Sequence, residues 1–153
     1  MRGFTMIELL LYIALFSVLV TGIATAFRAV TDSAARVETD ARLTDELEFV
    51  VQKVEYVVSQ AQTIEEPGPN GHGRRLSART PEGVFSIYVT EDHIVLEDSH
   101  GVLLVSDGDI TTEVLSFERR GADLHLEIRL STRTRSGQPV VREVKRLLVL
   151  TAS

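Results

Sequence analysis

The chain has no cysteine. That excludes thiol nucleophiles, thiolate zinc sites and disulfides, so the fold must hold by packing alone. It does not locate the protein, because exported chains are permitted disulfides rather than obliged to carry them. Proline and glycine are missing from Ala24 to Glu66, so nothing there interrupts a helix. Charge is almost missing from positions 4–27, where Glu8 is the only charged side chain. Arg2 and Glu8 cancel, and the net charge of −6 falls on everything after Phe27. That acidic remainder argues against broad nucleic-acid binding and against docking on anionic lipid. At 153 residues the chain is long enough for one domain with a real core.

The segment FTMIELLLYIALFSVLVTGIATAF fills positions 4–27. As a helix it spans about 36 Å at roughly 1.5 Å per residue, enough to cross a bilayer core of about 30 Å. Arg2 lies on one side and Arg28 on the other, so charge alone does not orient it, although a short N-terminal tail normally stays cytoplasmic. Three readings compete: a plain anchor, a secretory signal peptide cut near Ala24-Thr25-Ala26, and a short leader cut ahead of the apolar run. Glu8 separates them. A carboxylate at the centre of a membrane helix costs roughly 2.5–3.5 kcal/mol, and a bland anchor has no use for one. Near the cytoplasmic interface it is tolerable by snorkelling, which makes it harmless rather than useful.

Arg2-Gly3-Phe4-Thr5-Met6-Ile7-Glu8-Leu9-Leu10 resembles the prepilin peptidase motif of the type IV pilin-like superfamily. The resemblance implies cleavage between Gly3 and Phe4, N-methylation of Phe4, and Glu8 as the carboxylate needed for assembly. It further implies prepilin peptidase, other pilin or pseudopilin subunits and an inner-membrane assembly platform as partners. The chain would then sit in the cytoplasmic membrane with its N-terminus inside and its C-terminal part outside before entering a fibre. The leader, positions 1–3, is short for the family. The proline many major pilins carry in the membrane helix is absent, leaving Gly22 as its softest point. The close resemblance covers about the first 25 residues.

Beyond the membrane segment, apolar residues keep helical spacing in two runs. The first is Val30, Ala34, Val37 and Ala41. The second is Leu43, Leu47, Val50, Val54, Val57, Ala61 and Ile64. The slip between Ala41 and Leu43 marks a change of partner. The expected helix therefore runs from Phe4 to about Thr63, with positions 28–64 an amphipathic continuation. Glu65 to Gly73 contains Pro67, Pro69 and three glycines and reads as a loop. Its G-x-x-G-x-G string lacks the strand before it and the helix after it that a dinucleotide site needs. From Arg74 the period changes to two. Phe85–Thr90 and His93–Glu97 form a hairpin about Glu91-Asp92, followed by strands at Val102–Val105, Leu115–Phe117, Leu124–Leu130 and Val140–Leu150. Positions 65–153 thus read as one antiparallel meander with a wet face. The expected fold class is α+β: a long N-terminal helix packed on a small antiparallel sheet, a pilin-like architecture.

No enzyme signature stands up. His72, His93, His100 and His125 are isolated and lack metal-ligand spacing, and no nucleophile elbow is present. No cofactor is expected. Asp98, Asp107 and Asp109 are weak calcium candidates, since calcium needs six to eight oxygens and Asp107-Gly108-Asp109 reads more simply as a turn. Arg119, Arg120, Arg129, Arg133 and Arg135 form the densest basic group, but no aromatic residues interleave for base stacking, so nucleic acid is an unlikely partner. The expectation is a structural fibre subunit at a minor position. The alternative is a monomeric, single-pass, membrane-anchored binding module in which Glu8 is incidental.

Overall fold

A computed structural model describes residues 5–106, 108–134 and 137–150. Among the described residues one helix, α1 (Met6–Gln60), precedes nine strands. The chain divides into two compact units, one ending at Val37 and one beginning at Glu38. In the first, α1 carries no tertiary core. Val30 and Val37 are about two-thirds exposed, as are most apolar residues before them. In the second, Leu43, Leu47, Val50, Val51, Val54, Val57 and Val58 of α1 are buried. Burial thus begins where the apolar period slips, at Leu43.

The helix stops at Gln60, earlier than its apolar period suggests. Ala61 N–H closes a tight final turn on Val58 O at 3.2 Å, and Gln62 N–H goes to Arg79 O at 2.8 Å. Ile64 therefore belongs to a strand. β1 (Thr63–Glu66) pairs antiparallel with β3 (Leu76–Thr80), setting Ile64 opposite Ala78. The glycine- and proline-rich stretch is not wholly loop either, for it ends in β2 (His72–Gly73).

The strands form two antiparallel sheets rather than one meander. The first has the order β1-β3-β4-β5-β6, with β4 (Gly83–Thr90), β5 (His93–Asp98) and β6 (Gly101–Leu104). The second has the order β2-β7-β8-β9, with β7 (Thr111–Arg120), β8 (Asp123–Arg133) and β9 (Pro139–Val149). The break falls after β6. Val105 N–H turns back to Ile94 O at 2.8 Å, Ser106 Oγ accepts from Ile94 N–H at 2.8 Å, and Thr112 N–H reaches Asp92 O at 2.8 Å. These bonds satisfy backbone groups that a crossing segment would otherwise leave buried and unpaired.

Alternation is cleanest on β8. Leu124, Leu126, Ile128 and Leu130 are fully buried, and together with Phe117, Leu115 and the helical valines they form the core. The opposite face of β8 is half-buried rather than wet. There Glu127 lies across from Lys145 and Arg129 across from Glu143, each pair bonded, at 3.1 and 2.5 Å. The β4–β5 hairpin turns at Glu91 and Asp92, as the sequence suggests. Both have positive φ, 49° and 66°, the combination a two-residue type I′ turn demands.

Candidate assembly and processing site

The described chain begins at Thr5, and α1 at Met6. Gly3 and Phe4, the residues of the expected cut, lie outside the described residues, as do Asp107 and Arg135. Glu8 occupies the first turn of α1. Its own N–H and that of Leu9 bond to Thr5 O at 3.0 and 3.2 Å, and Thr5 Oγ1 donates to Glu8 Oε2 at 3.5 Å. Thr5-x-x-Glu8 therefore has the spacing of a capping box, with the carboxylate at the helix end where the backbone dipole favours it.

From Glu8 to Phe27, α1 presents an almost wholly apolar surface, long and apolar enough to cross a membrane. Its hydroxyls do not spoil that surface. Ser17 donates to Ile13 O, Thr21 to Ser17 O, and Thr25 to Thr21 O, each at 2.8 Å. These serine and threonine hydroxyls are thus spent on the helix's own carbonyls, the arrangement a hydrocarbon environment requires. Gly22 does not break the helix, and a side chain there would meet nothing within 4 Å.

Asp98 and Asp109 have other work. Asp98 Oδ1 accepts from His100 N–H at 2.7 Å and Gly101 N–H at 3.0 Å, closing the β5–β6 turn. Asp109 pairs with Arg42 at 3.3 Å. Among the described residues no three acidic or histidine side chains gather as a metal ion would need. The basic group is likewise mostly engaged. Arg120 pairs with Glu118 at 2.8 Å, Arg129 with Glu143, and Arg119 donates to Ile64 O at 3.2 Å. Sequence patterning did not foresee that last bond, which ties β7 to the edge strand β1, because nothing in the spacing of positions 64 and 119 signals it.

Residues 1–24 match the family model described as the prokaryotic N-terminal methylation motif. No curated protein and no solved structure matches the chain. The motif, confined to those first 24 residues, supports a type IV pilin-like protein, and the long N-terminal helix followed by antiparallel sheets is a pilin-like architecture. The family is structural, not enzymatic. Its motif fits processing by prepilin peptidase, assembly with other pilin subunits and anchoring in the inner membrane.

Proposed function

We propose that this chain is a minor subunit of a type IV pilus or a type II secretion pseudopilus. It would be cut between Gly3 and Phe4, methylated at Phe4, held with its N-terminus in the cytoplasm and its sheets outside, and drawn by a membrane platform into a fibre. One observation carries the reading: the methylation motif runs directly into a helix whose first half exposes its large apolar side chains, from Met6 to Phe27. Bundling such helices buries that surface. Glu8 then needs a partner, because an unpaired carboxylate in an apolar bundle is unfavourable. The Phe4 amine of a neighbour supplies one, since an α-amine is largely protonated at neutral pH and methylation leaves it protonatable. Such a pair sets register more than it adds stability.

The Thr5–Glu8 bond favours a second reading, in which Glu8 merely caps the helix of a monomeric anchored module. Glu8→Gln separates the two, because glutamine serves a capping box as well as glutamate but has no charge. The measurement is the share of Glu8→Gln and Glu8→Leu subunits in sheared fibres relative to membranes. Assembly through charge pairing excludes both variants from fibres. Wild-type incorporation of Glu8→Gln removes the pairing. Intact mass tests processing: loss of Met1–Gly3 and gain of one methyl group are expected, and a mature N-terminus at Phe27 would sink the proposal.

A further inference from the structure

Two sheet edges of the second unit are complementary. Among the described residues β6 bonds only to β5, and β9 only to β8. Natural edge strands usually carry charge that discourages pairing. β6 does not. Val102, Leu103 and Leu104 stand side by side, each more than half exposed, with no charged residue between Gly101 and Leu104. Leu103 lies in register with Leu96 and Ile87, on the face that builds the core, yet stays 55% exposed.

At β9 the edge is built differently. Between it and α1 runs a groove of about 390 Å³, floored by Leu47, Val51 and Val144, with Arg142 and Arg146 on the strand side and Glu48 and Glu55 on the helix side. A strand laid along β9 would set alternate side chains into that floor. Charge favours this pairing over two like edges: positions 91–110, which contain β6, hold six acidic residues and no lysine or arginine, whereas β9 holds one acidic residue and three basic ones, of which Arg142 and Lys145 already pair within the chain. Two β6 edges would repel each other. The remaining edges are less suited: Arg119 already bonds the backbone of β1, and β2 has two residues.

We infer that β6 of one subunit adds as an extra strand to β9 of a second copy of this chain. The contact joins two different surfaces, so it leaves a free β6 and a free β9 at its ends and is compatible with propagation along a fibre. Two adjacent copies suffice, which accommodates a minor subunit. The inference rests on the fibre reading above and adds to it a contact between the sheet-bearing units that is independent of Glu8.

The absence of cysteine makes the test direct. Full-length Leu104→Cys and Leu147→Cys proteins, carrying different tags, are co-expressed in membranes and treated with a short bismaleimide, whose reach tolerates either strand direction. A doubly tagged cross-linked dimer is expected from the mixture, and none from either variant alone. Leu103→Asp, at an exposed position, should abolish that dimer while leaving the unfolding midpoint unchanged. Three results overturn the inference: no mixed dimer although the subunit enters fibres, a dimer from Leu104→Cys alone, or Leu104→Cys captured by a different protein. Absence of the wild-type subunit from fibres would instead defeat the fibre reading. A mixed dimer in detergent would then still establish the strand contact.

Discussion

Arg142 on β9 donates to the carboxylate of Asp40 on α1, across 102 positions of chain. The pair ties the last strand to the helix just where the sheet-bearing unit begins, and both side chains remain part-exposed, 48% and 33%. Exposed ion pairs contribute about 0–1 kcal/mol. Arg142→Ala should therefore shift unfolding by less than about 1 kcal/mol. Leu47→Ala should cost about 2–5 kcal/mol, because Leu47 is 2% exposed in the core. Chemical denaturation of both variants checks the ranking, and a larger loss for Arg142→Ala would reverse it.

A protein shortened to begin at Arg28 should fold, since the core residues all lie at or after Leu43. Cooperative unfolding and a dispersed amide spectrum at neutral pH are the expected results. A shortened chain that stays unfolded would mean that the sheets depend on the membrane half of α1.

Acid should weaken the outer face of the second sheet. Arg129 bonds to Glu143 and holds its carboxyl below the ordinary value of 4.5, with Lys145 adding to the effect. Arg120 does the same for Glu118. A group whose pKa is depressed by folding contributes stability above its unfolded pKa and loses it as pH falls through the folded value. The contribution is thus complete above about pH 5 and declines below 4.5. Carbon-13 titration should place the Glu143 midpoint below 4.5, and Arg129→Ala should raise it. A Glu143 midpoint at or above 4.5 in the wild type would contradict the bonded geometry.

The β4–β5 turn carries backbone strain that the sequence does not relieve. Glu91 has φ 49°, and glutamate has no particular tolerance for that region. Glu91→Asn, the residue type favoured at this position of a type I′ turn, should stabilise the protein by up to about 1 kcal/mol. A lower thermal midpoint for Glu91→Asn would show that the glutamate side chain contributes something the turn geometry does not reveal.

Much of this protein is legible in its residues because the signals are local. Glu8 is conspicuous as a charge where hydropathy disfavours one, and the motif around it needs no tertiary context. The step from Ala41 to Leu43 announces the onset of burial because helical periodicity reports one face at a time. Leu124, Leu126, Ile128 and Leu130 declare their strand by alternation, and Glu91-Asp92 its hairpin by position.

What the sequence could not decide was partnership. Ile64 continues a helical period and equally suits a strand, and it is the open edge of β3, offering Arg79 O to Gln62 N–H, that ends the helix at Gln60. The split into two sheets has the same origin. Strand propensity says nothing of which strand lies beside which, and Ser106 Oγ bonding to Ile94 N–H is a contact only the folded chain creates. Residue types and their spacing thus determined the membrane helix, the buried faces and the turns, because each rests on interactions within a few residues. The end of α1, the division of the strands and the pairing of Arg142 with Asp40 were left to the tertiary structure, because each depends on a backbone or side-chain partner distant in sequence.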